Sequence, residues 1–324
     1  MHSVSSLRTK LERSIEALNF QSSPKELYEP IIYTLGLGGK RIRPIMVLLG
    51  ADLFGGDVNA SLHPALAIEL FHNFTLLHDD IMDNAPIRRG KETVFKKWNA
   101  NVAILSGDTM FAIAYDFLTG VDPTLLPEML RLFTKTAREV CEGQQYDMNF
   151  ESLPAVTIDD YLEMIRLKTA VLLGCSLKLG AMLGYATAGD ANNIYRFGEN
   201  LGLSFQLQDD LLDVFGDEEK FGKEIGGDIV SNKKTFLYLK ALELSGPGDS
   251  SALQHYFSTQ TMDPDEKITK VREIYLRLNI REKTNEQVDF YYQEAMKYLA
   301  EIRVEETRKD ELKALAKQLI GRVY

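Results

Sequence analysis

Apolar residues recur every three or four positions along almost the whole chain, the spacing that gathers them on one face of a helix. The pattern predicts helices over residues 4–19, 24–35, 41–54, 61–84, 98–118, 124–149, 157–186, 190–214, 232–244, 249–258, 263–278, 282–303 and 308–320. No period-two strand and no convincing hairpin signal interrupts them. The expected class is all-α. Several of these helices exceed the usual globular length of about 11 residues. Such lengths favour antiparallel packing around a deep central cavity over a small bundle. Pro and Gly fall in short clusters rather than in a linker, so residues 1–324 are expected to form a single domain.

Composition acts mainly by exclusion. A net charge of −10 argues against a general nucleic-acid or anionic-membrane surface, because phosphate attraction needs clustered Lys and Arg. The N-terminal stretch MHSVSSLRTKLERSIEALNF carries charges every few residues and no long apolar core, so no secretory leader is expected. No apolar run approaches a bilayer span, the densest being Ile45 to Leu49, and a soluble, cytoplasmic protein is expected. Cys141 and Cys175 each lie in a helical, largely apolar pattern, with no second Cys or His at ligand spacing. Both are read as reduced thiols.

Against this background one stretch is out of place. Residues 69–90 read ELFHNFTLLHDDIMDNAPIRRG, an apolar helical run that holds Asp79, Asp80 and Asp83 in one turn. At about 100° per residue, Asp79 and Asp83 fall within roughly 20° of His72 on the helix surface. Like charges four residues apart cost a helix about 0.2–0.5 kcal/mol, and Asp is a poor interior helix residue. A local loss of this kind points to an external partner, for which a hard divalent cation is the obvious candidate. The same grammar returns as Gln206, Asp209, Asp210 and Asp213 within FQLQDDLLD. Chance gives one DDxxD in roughly one chain in ten of this length and two in well under one in a hundred, so the pair carries information. By contrast, Asp159, Asp160 and Glu163 follow Thr157, which reads as an N-cap, so these acids complement a helix dipole and are set aside.

Basic residues cluster beside the acids. GLGGKRIRP, residues 36–44, places a glycine cluster ahead of Lys40, Arg41 and Arg43 at a helix start, which suits a phosphate without matching a P-loop or dinucleotide fingerprint. Arg88 and Arg89 follow the first acidic stripe by one short loop. Lys233 and Lys234 are predicted in the first turn of the helix 232–244, where they oppose its dipole; a bound anion, with Lys223 closing over it, would remove the conflict. Lys168, in MIRLKTAVLLG, reads as a snorkelling surface residue on the local pattern.

Taken together, GGKRIRP, LLHDDIMDNAPIRRG, Lys168 with Thr169, FQLQDDLLDVFGD and GKEIGGDIVSNKK resemble, in order and over nearly the whole chain, the trans-isoprenyl diphosphate synthases of the polyprenyl synthetase family. The resemblance implies a fold of long antiparallel helices around a cavity, usually in a homodimer, with the two acidic motifs facing each other across its mouth. It implies that Asp79 and Asp83, with Asp80 in support, and Asp209, with Asp210 and Asp213 near it, bind Mg²⁺, about three ions per active site. It implies that Arg88, Lys168, Thr169, Gln206, Lys223 and Lys233 contact an allylic diphosphate, and that Lys40, Arg43, His72 and Arg89 hold isopentenyl diphosphate. Gln144 and Asp147 resemble the family's intervening polar motif. The implied reaction extends an allylic prenyl diphosphate by five carbons.

In such enzymes the residues below the first acidic motif set product length. Phe74 lies five residues before Asp79, about 7.5 Å down the helix axis, and the small Thr75 lies four before, with Ile68 and Phe71 deeper. This pattern resembles synthases making a twenty-carbon product, geranylgeranyl diphosphate, with farnesyl diphosphate as the alternative. A class I terpene cyclase would pair one DDxxD with a mixed Asn, Ser/Thr and Glu motif, against the intact Asp209, Asp210 and Asp213. A non-catalytic partner subunit would tend to carry damaged acidic motifs, and both here are intact.

Overall fold

The computed structural model describes residues 1–20, 22–216, 225–259 and 261–321. It is helical nearly throughout, as the periodicity requires, and its α-carbons group into two compact units, each assembled from three stretches of chain.

The first unit comprises Met1–Thr134, Cys175–Ile194 and Arg303–Leu312. Its centre is the helix Ile42–Leu53, buried at every position from Pro44 to Leu53. The segment PIMVLLGADL is apolar nearly all round, which is what full burial selects. This helix crosses Val171–Leu183 backbone to backbone. A β-carbon on Gly180 would lie 2.0 Å from the Val47 carbonyl oxygen, and one on Gly50 would lie 2.5 Å from that of Leu177. Gly180→Ala is therefore expected to cost about 3 kcal/mol, read as a lower denaturation midpoint; an unchanged midpoint would mean the crossing relaxes freely. The helix Leu62–Met82 packs on Ile42–Leu53 and on Ala100–Thr119, and so carries the first acidic motif on two supports.

The second unit comprises Lys135–Gly174, Tyr195–Ile302 and Lys313–Tyr324. Its apolar core joins Leu207 and Leu211, from the helix Ala188–Phe215, to Phe236, Leu237, Tyr275 and Val288. The helix of the second acidic motif is therefore clamped along its apolar face.

Four features depart from the predicted elements. The stretch 157–186 is interrupted: Ile158–Ile165 passes into a π-helical turn over Arg166–Ala170 before Val171–Leu183. Thr157 caps the first piece as expected, in a reciprocal capping box with Asp160. A two-stranded hairpin pairs Ile87–Arg88 with Lys91–Glu92, turning on Arg89 (φ 54°) and Gly90 (φ 73°). Positive φ at both central residues is a type I′ turn, and Arg in place of the usual Asn or Asp concealed it. The helix expected from 232 begins at Phe236, with Thr235 as N-cap. Finally, among the described residues Ala100–Thr119 is long and apolar enough to cross a membrane by length and composition, against the expectation of none. Its charges are confined to Asp108 and Asp116, while Ala103, Gly107, Met110 and Ala114 form its buried side.

Candidate active site

Each unit carries one acidic motif with basic residues beside it. In the first unit the helix Leu62–Met82 ends inside the motif, with Asp83 as its C-cap. Asp83 is exposed, Asp79 is half-buried and Asp80 is buried. The Arg88 Nε donates to Asp80 Oδ1 at 2.7 Å, and Arg88 Nη2 donates to Asp79 Oδ2 at 3.3 Å. Burial raises the Asp80 carboxyl to about 6; the Arg88 charge and hydrogen bond oppose the rise, and Asp79 and Asp83 add to it. The two outward aspartates thus share a stripe, as predicted, while Asp80 turns back to hold Arg88.

A cluster of arginines surrounds His72. Arg43 Nη1 lies 3.2 Å from His72 Nε2, which must accept because a guanidinium only donates. Burial, then Arg43, Arg89, Arg88 and Arg41 in turn, press the His72 pKa well below its ordinary 6.5, so the imidazole is neutral. Burial likewise lowers Arg43 to about 10, with Glu69 opposing and Arg89 adding. Arg43 Nε is buried without a hydrogen-bond partner, an orphan donor of the kind a bound anion satisfies. Arg89 sits in left-handed backbone and donates from Nη1 to the Gly38 carbonyl. A β-carbon on Gly39 would fall 2.9 Å from the Arg89 guanidinium carbon, so this close approach requires glycine. Lys40 is exposed, and its carbonyl accepts from Arg8 Nη2 at 3.0 Å. Arg41 departs from the expected basic cluster: it is buried and turned away, towards Glu69.

His72 also sets a pH dependence of stability. Its folded pKa is depressed below the unfolded 6.5, so the stabilising contribution is full above 6.5 and is lost as pH falls through that value. His72→Gln is expected to show a shallower loss of denaturation midpoint between pH 8 and 5 than the parent. Parallel curves would place the titration elsewhere.

In the second unit the π-turn presents Lys168 and Thr169 to a cleft of about 650 Å³, open mouth included, large enough for a diphosphate. Lys168 Nζ donates to Asp147 Oδ2 at 2.6 Å, so it is a partnered site residue rather than a snorkelling one. Thr169 Oγ1 donates to Gln206 Oε1 at 3.2 Å, and Gln206 Nε2 donates to Asp210 Oδ1 at 3.0 Å. The Tyr161 hydroxyl completes the chain by donating to Asp210 Oδ2. Asp210 is buried, and desolvation first, then Asp228, raise its pKa well above the usual carboxylate range. Asp209 is half-buried, and Asp213 Oδ2 accepts from the Asp228 backbone N–H at 3.0 Å, tying the motif to the turn before Gly227–Val230. Gly143 lies flat on the π-turn, where a β-carbon would sit 2.3 Å from the Lys168 nitrogen. Gly143→Ala is expected to displace Lys168 and to lower turnover about 10²-fold, the cost of misplacing a binding group by about 1 Å; unchanged turnover would dissociate Lys168 from the reaction.

The basic residues before Phe236 divide. Lys233 Nζ lies 3.8 Å from Asp228 Oδ1 and lines the cleft. Lys234 instead donates to the Phe150 and Leu153 carbonyls, capping the C-terminal end of Leu126–Ser152. Neither lies in the first turn of a helix, so the predicted dipole conflict does not arise. Lys223 lies outside the described residues. Tyr161 and Asp228 were not among the expected site residues; GGD ahead of Lys233 was the available signal for the second, and nothing local marked the first.

Among the described residues no group of three or more His, Cys, Asp and Glu side chains could hold a metal. The outward carboxylates are nevertheless hard oxygen donors, and Mg²⁺ commonly takes one or two carboxylates together with phosphate oxygens and water. The donor chemistry therefore fits the expected ion.

Aspartate-rich helices, each beside convergent cations and a neutral or amide hydrogen-bonding group, define an enzyme that binds diphosphate esters. The polyprenyl synthetase model matches residues 24–275. The chain is 40% identical over 235 residues to the geranylgeranyl diphosphate synthase of Methanosarcina mazei, covering 72% of each chain. It is 43% identical over 241 residues to the geranylgeranyl pyrophosphate synthase of Geoglobus acetivorans, covering 73% of this chain and 75% of the relative. A crystal structure of a geranylgeranyl pyrophosphate synthase superposes with a TM-score of 0.96 at 42% identity over 100% of both chains. The chain belongs to the polyprenyl synthetase family and is a prenyltransferase.

Proposed function

We propose that this enzyme condenses isopentenyl diphosphate head to tail with dimethylallyl, geranyl and farnesyl diphosphates, and that geranylgeranyl diphosphate is its end product. The observation that carries the product length is Phe74. It is 8% exposed, its ring stacks on Phe111 at 4.9 Å and 7°, and it meets His78 edge-on at 4.7 Å, so it is a fixed barrier five residues below Asp79. The names of the relatives from M. mazei and G. acetivorans agree with it.

The roles follow from the chemistry of each group. Lys40, Arg43, His72 and Arg89 hold the isopentenyl diphosphate; the orphan Arg43 donor and the neutral His72 support this. Arg88, Lys168, Thr169, Gln206 and Lys233, with Lys223, receive the allylic diphosphate. Asp79, Asp83 and Asp209 would hold Mg²⁺, about three ions in all, with Asp213 beside them, while Asp80 and Asp210 act through Arg88 and through Tyr161 and Gln206. Bound Mg²⁺ supplies charge neutralisation of the leaving diphosphate. The lysines and Arg88 add to that neutralisation as the allylic C–O bond breaks and pyrophosphate leaves. The isopentenyl double bond forms the new C–C bond to the allylic carbon, and a proton is lost to the departing diphosphate. No side-chain nucleophile is required.

The same reading includes one domain over residues 1–324, supported by the interleaving of both units along the chain and by a family match that crosses them. It includes a homodimer, supported by Ile104 and Leu105, 41% and 58% exposed on Ala100–Thr119; a monomer in sedimentation would remove that part. A cytoplasmic location agrees with two free thiols, Cys141 and Cys175. The reaction class is tested by following pyrophosphate release with isopentenyl and farnesyl diphosphates. One pyrophosphate per isopentenyl diphosphate consumed, stopped by EDTA, is expected. Release without isopentenyl diphosphate consumption would indicate a cyclase instead.

A further inference from the structure

Within the first unit lies a group of polar side chains that none of these roles uses. Arg41, Glu69 and Asn73 are buried together at 7%, 2% and 0% exposure. Arg41 donates from Nη1 to Glu69 Oε1 and from Nη2 to the Leu35 carbonyl. Asn73 Nδ2 donates at 2.8 Å to Glu69 Oε1 and at 2.8 Å to the Glu69 carbonyl, while Asn73 Oδ1 is buried without a hydrogen-bond partner. Stability alone does not call for this arrangement. An ion pair taken out of water loses its hydration, and an apolar pair of similar volume often serves a core as well or better.

Two observations connect the group to the anion-binding loop. Arg41 itself occupies left-handed backbone at φ 51°, a conformation bulky residues keep only where their surroundings enforce it. The enforcement is visible, since its guanidinium bridges Leu35, ahead of the glycine turn, to Glu69 on the acidic helix. Arg41 also stands between Lys40 and Arg43, so its φ sets the directions in which both leave the chain. Glu69, one helical turn before His72, places a buried negative charge that favours the charged forms of Arg43 and Arg89. It offsets the mutual repulsion of a cluster that would otherwise splay before its anion arrives.

We propose that Arg41, Glu69 and Asn73 form a buried strut that fixes the Gly38–Arg43 turn and thereby sets the affinity for isopentenyl diphosphate without touching it. The strut rests on the assignment of Lys40, Arg43, His72 and Arg89 to that diphosphate. These are positioning residues, and their signature is a change confined to one substrate. The full-length Glu69→Gln and Arg41→Lys variants are compared with Arg43→Ala, reading KM for each substrate and the thermal midpoint. Glu69→Gln is expected to raise KM for isopentenyl diphosphate about tenfold or more while leaving KM for farnesyl diphosphate within about twofold. Arg41→Lys keeps the ion pair but gives up the fork that reaches Leu35, and raises the same KM by a smaller factor. If Glu69→Gln does not fold, Arg41→Lys carries the test alone. A raised KM in Arg43→Ala, with both KM values unchanged or raised alike in the strut variants, would overturn the strut while leaving the assignment intact. An unchanged KM in Arg43→Ala would overturn the assignment and the strut with it.

Discussion

Asp79→Ala and Asp209→Ala are each expected to lower turnover by at least about 10³-fold without lowering the denaturation midpoint. Asp79 stands half-exposed in the last turn of Leu62–Met82, and Asp209 half-buried in Ala188–Phe215. Neither position needs a carboxylate for packing. Alanine is the better helix former, and removing one acid from DDxxD relieves like-charge repulsion at i, i+4 in the first motif. The loss therefore belongs to chemistry. Asp80→Ala is the contrasting variant: its carboxylate is buried on Arg88, so turnover and midpoint should fall together, the midpoint by an amount corresponding to about 2 kcal/mol. Near-normal turnover in Asp79→Ala or Asp209→Ala would remove the metal assignment. A midpoint that falls as far as in Asp80→Ala would make the aspartate structural.

Phe74→Ala is expected to shift the major product beyond twenty carbons. The ring is held on three sides, stacked on Phe111 at 4.9 Å, edge-on to His78 at 4.7 Å and tilted against Phe71 at 5.6 Å. It cannot swing aside to admit a longer chain, so length is limited while it is present. Its neighbour Thr75 is small, and its hydroxyl donates to the His72 carbonyl at 2.8 Å, which leaves no second barrier one position higher. Behind Phe74, Phe71 meets Phe133 at 5.3 Å and Tyr115 meets Phe133 at 5.0 Å. That wall survives the substitution, so the expected gain is about one five-carbon unit rather than open-ended elongation. Truncating a buried Phe costs about 3–5 kcal/mol, so Phe74→Leu is the milder companion if the alanine variant is too unstable to assay. An unchanged product in a folded variant would exclude Phe74 from the barrier.

The helical class and the two acidic motifs were legible because both are written in period: apolar residues at 3.6 and carboxylates at i, i+1, i+4. What escaped is what period does not encode. Adjacent aspartates look alike in sequence, yet Asp80 and Asp210 turn inward to Arg88 and to Tyr161 and Gln206, while Asp79 and Asp209 stay at least partly open. The π-turn at Arg166–Ala170 inserts one residue into a helix without altering its composition, so Lys168 read as a surface lysine until its bond to Asp147 appeared. Lys233 and Lys234 were drawn into the following helix because lysine favours helices; Thr235, the actual cap, comes after them. Arg41 looked like a third phosphate ligand, and only its left-handed backbone and the buried Glu69 reveal a different task.

The most direct test of the proposed product is mass spectrometry after incubation of the purified enzyme with isopentenyl diphosphate, Mg²⁺ and, in turn, dimethylallyl, geranyl and farnesyl diphosphate. Geranylgeranyl diphosphate as the major species from all three primers is the expected result. Accumulation of farnesyl diphosphate that is not extended further, a cyclised hydrocarbon with isopentenyl diphosphate untouched, or no turnover at all would contradict it.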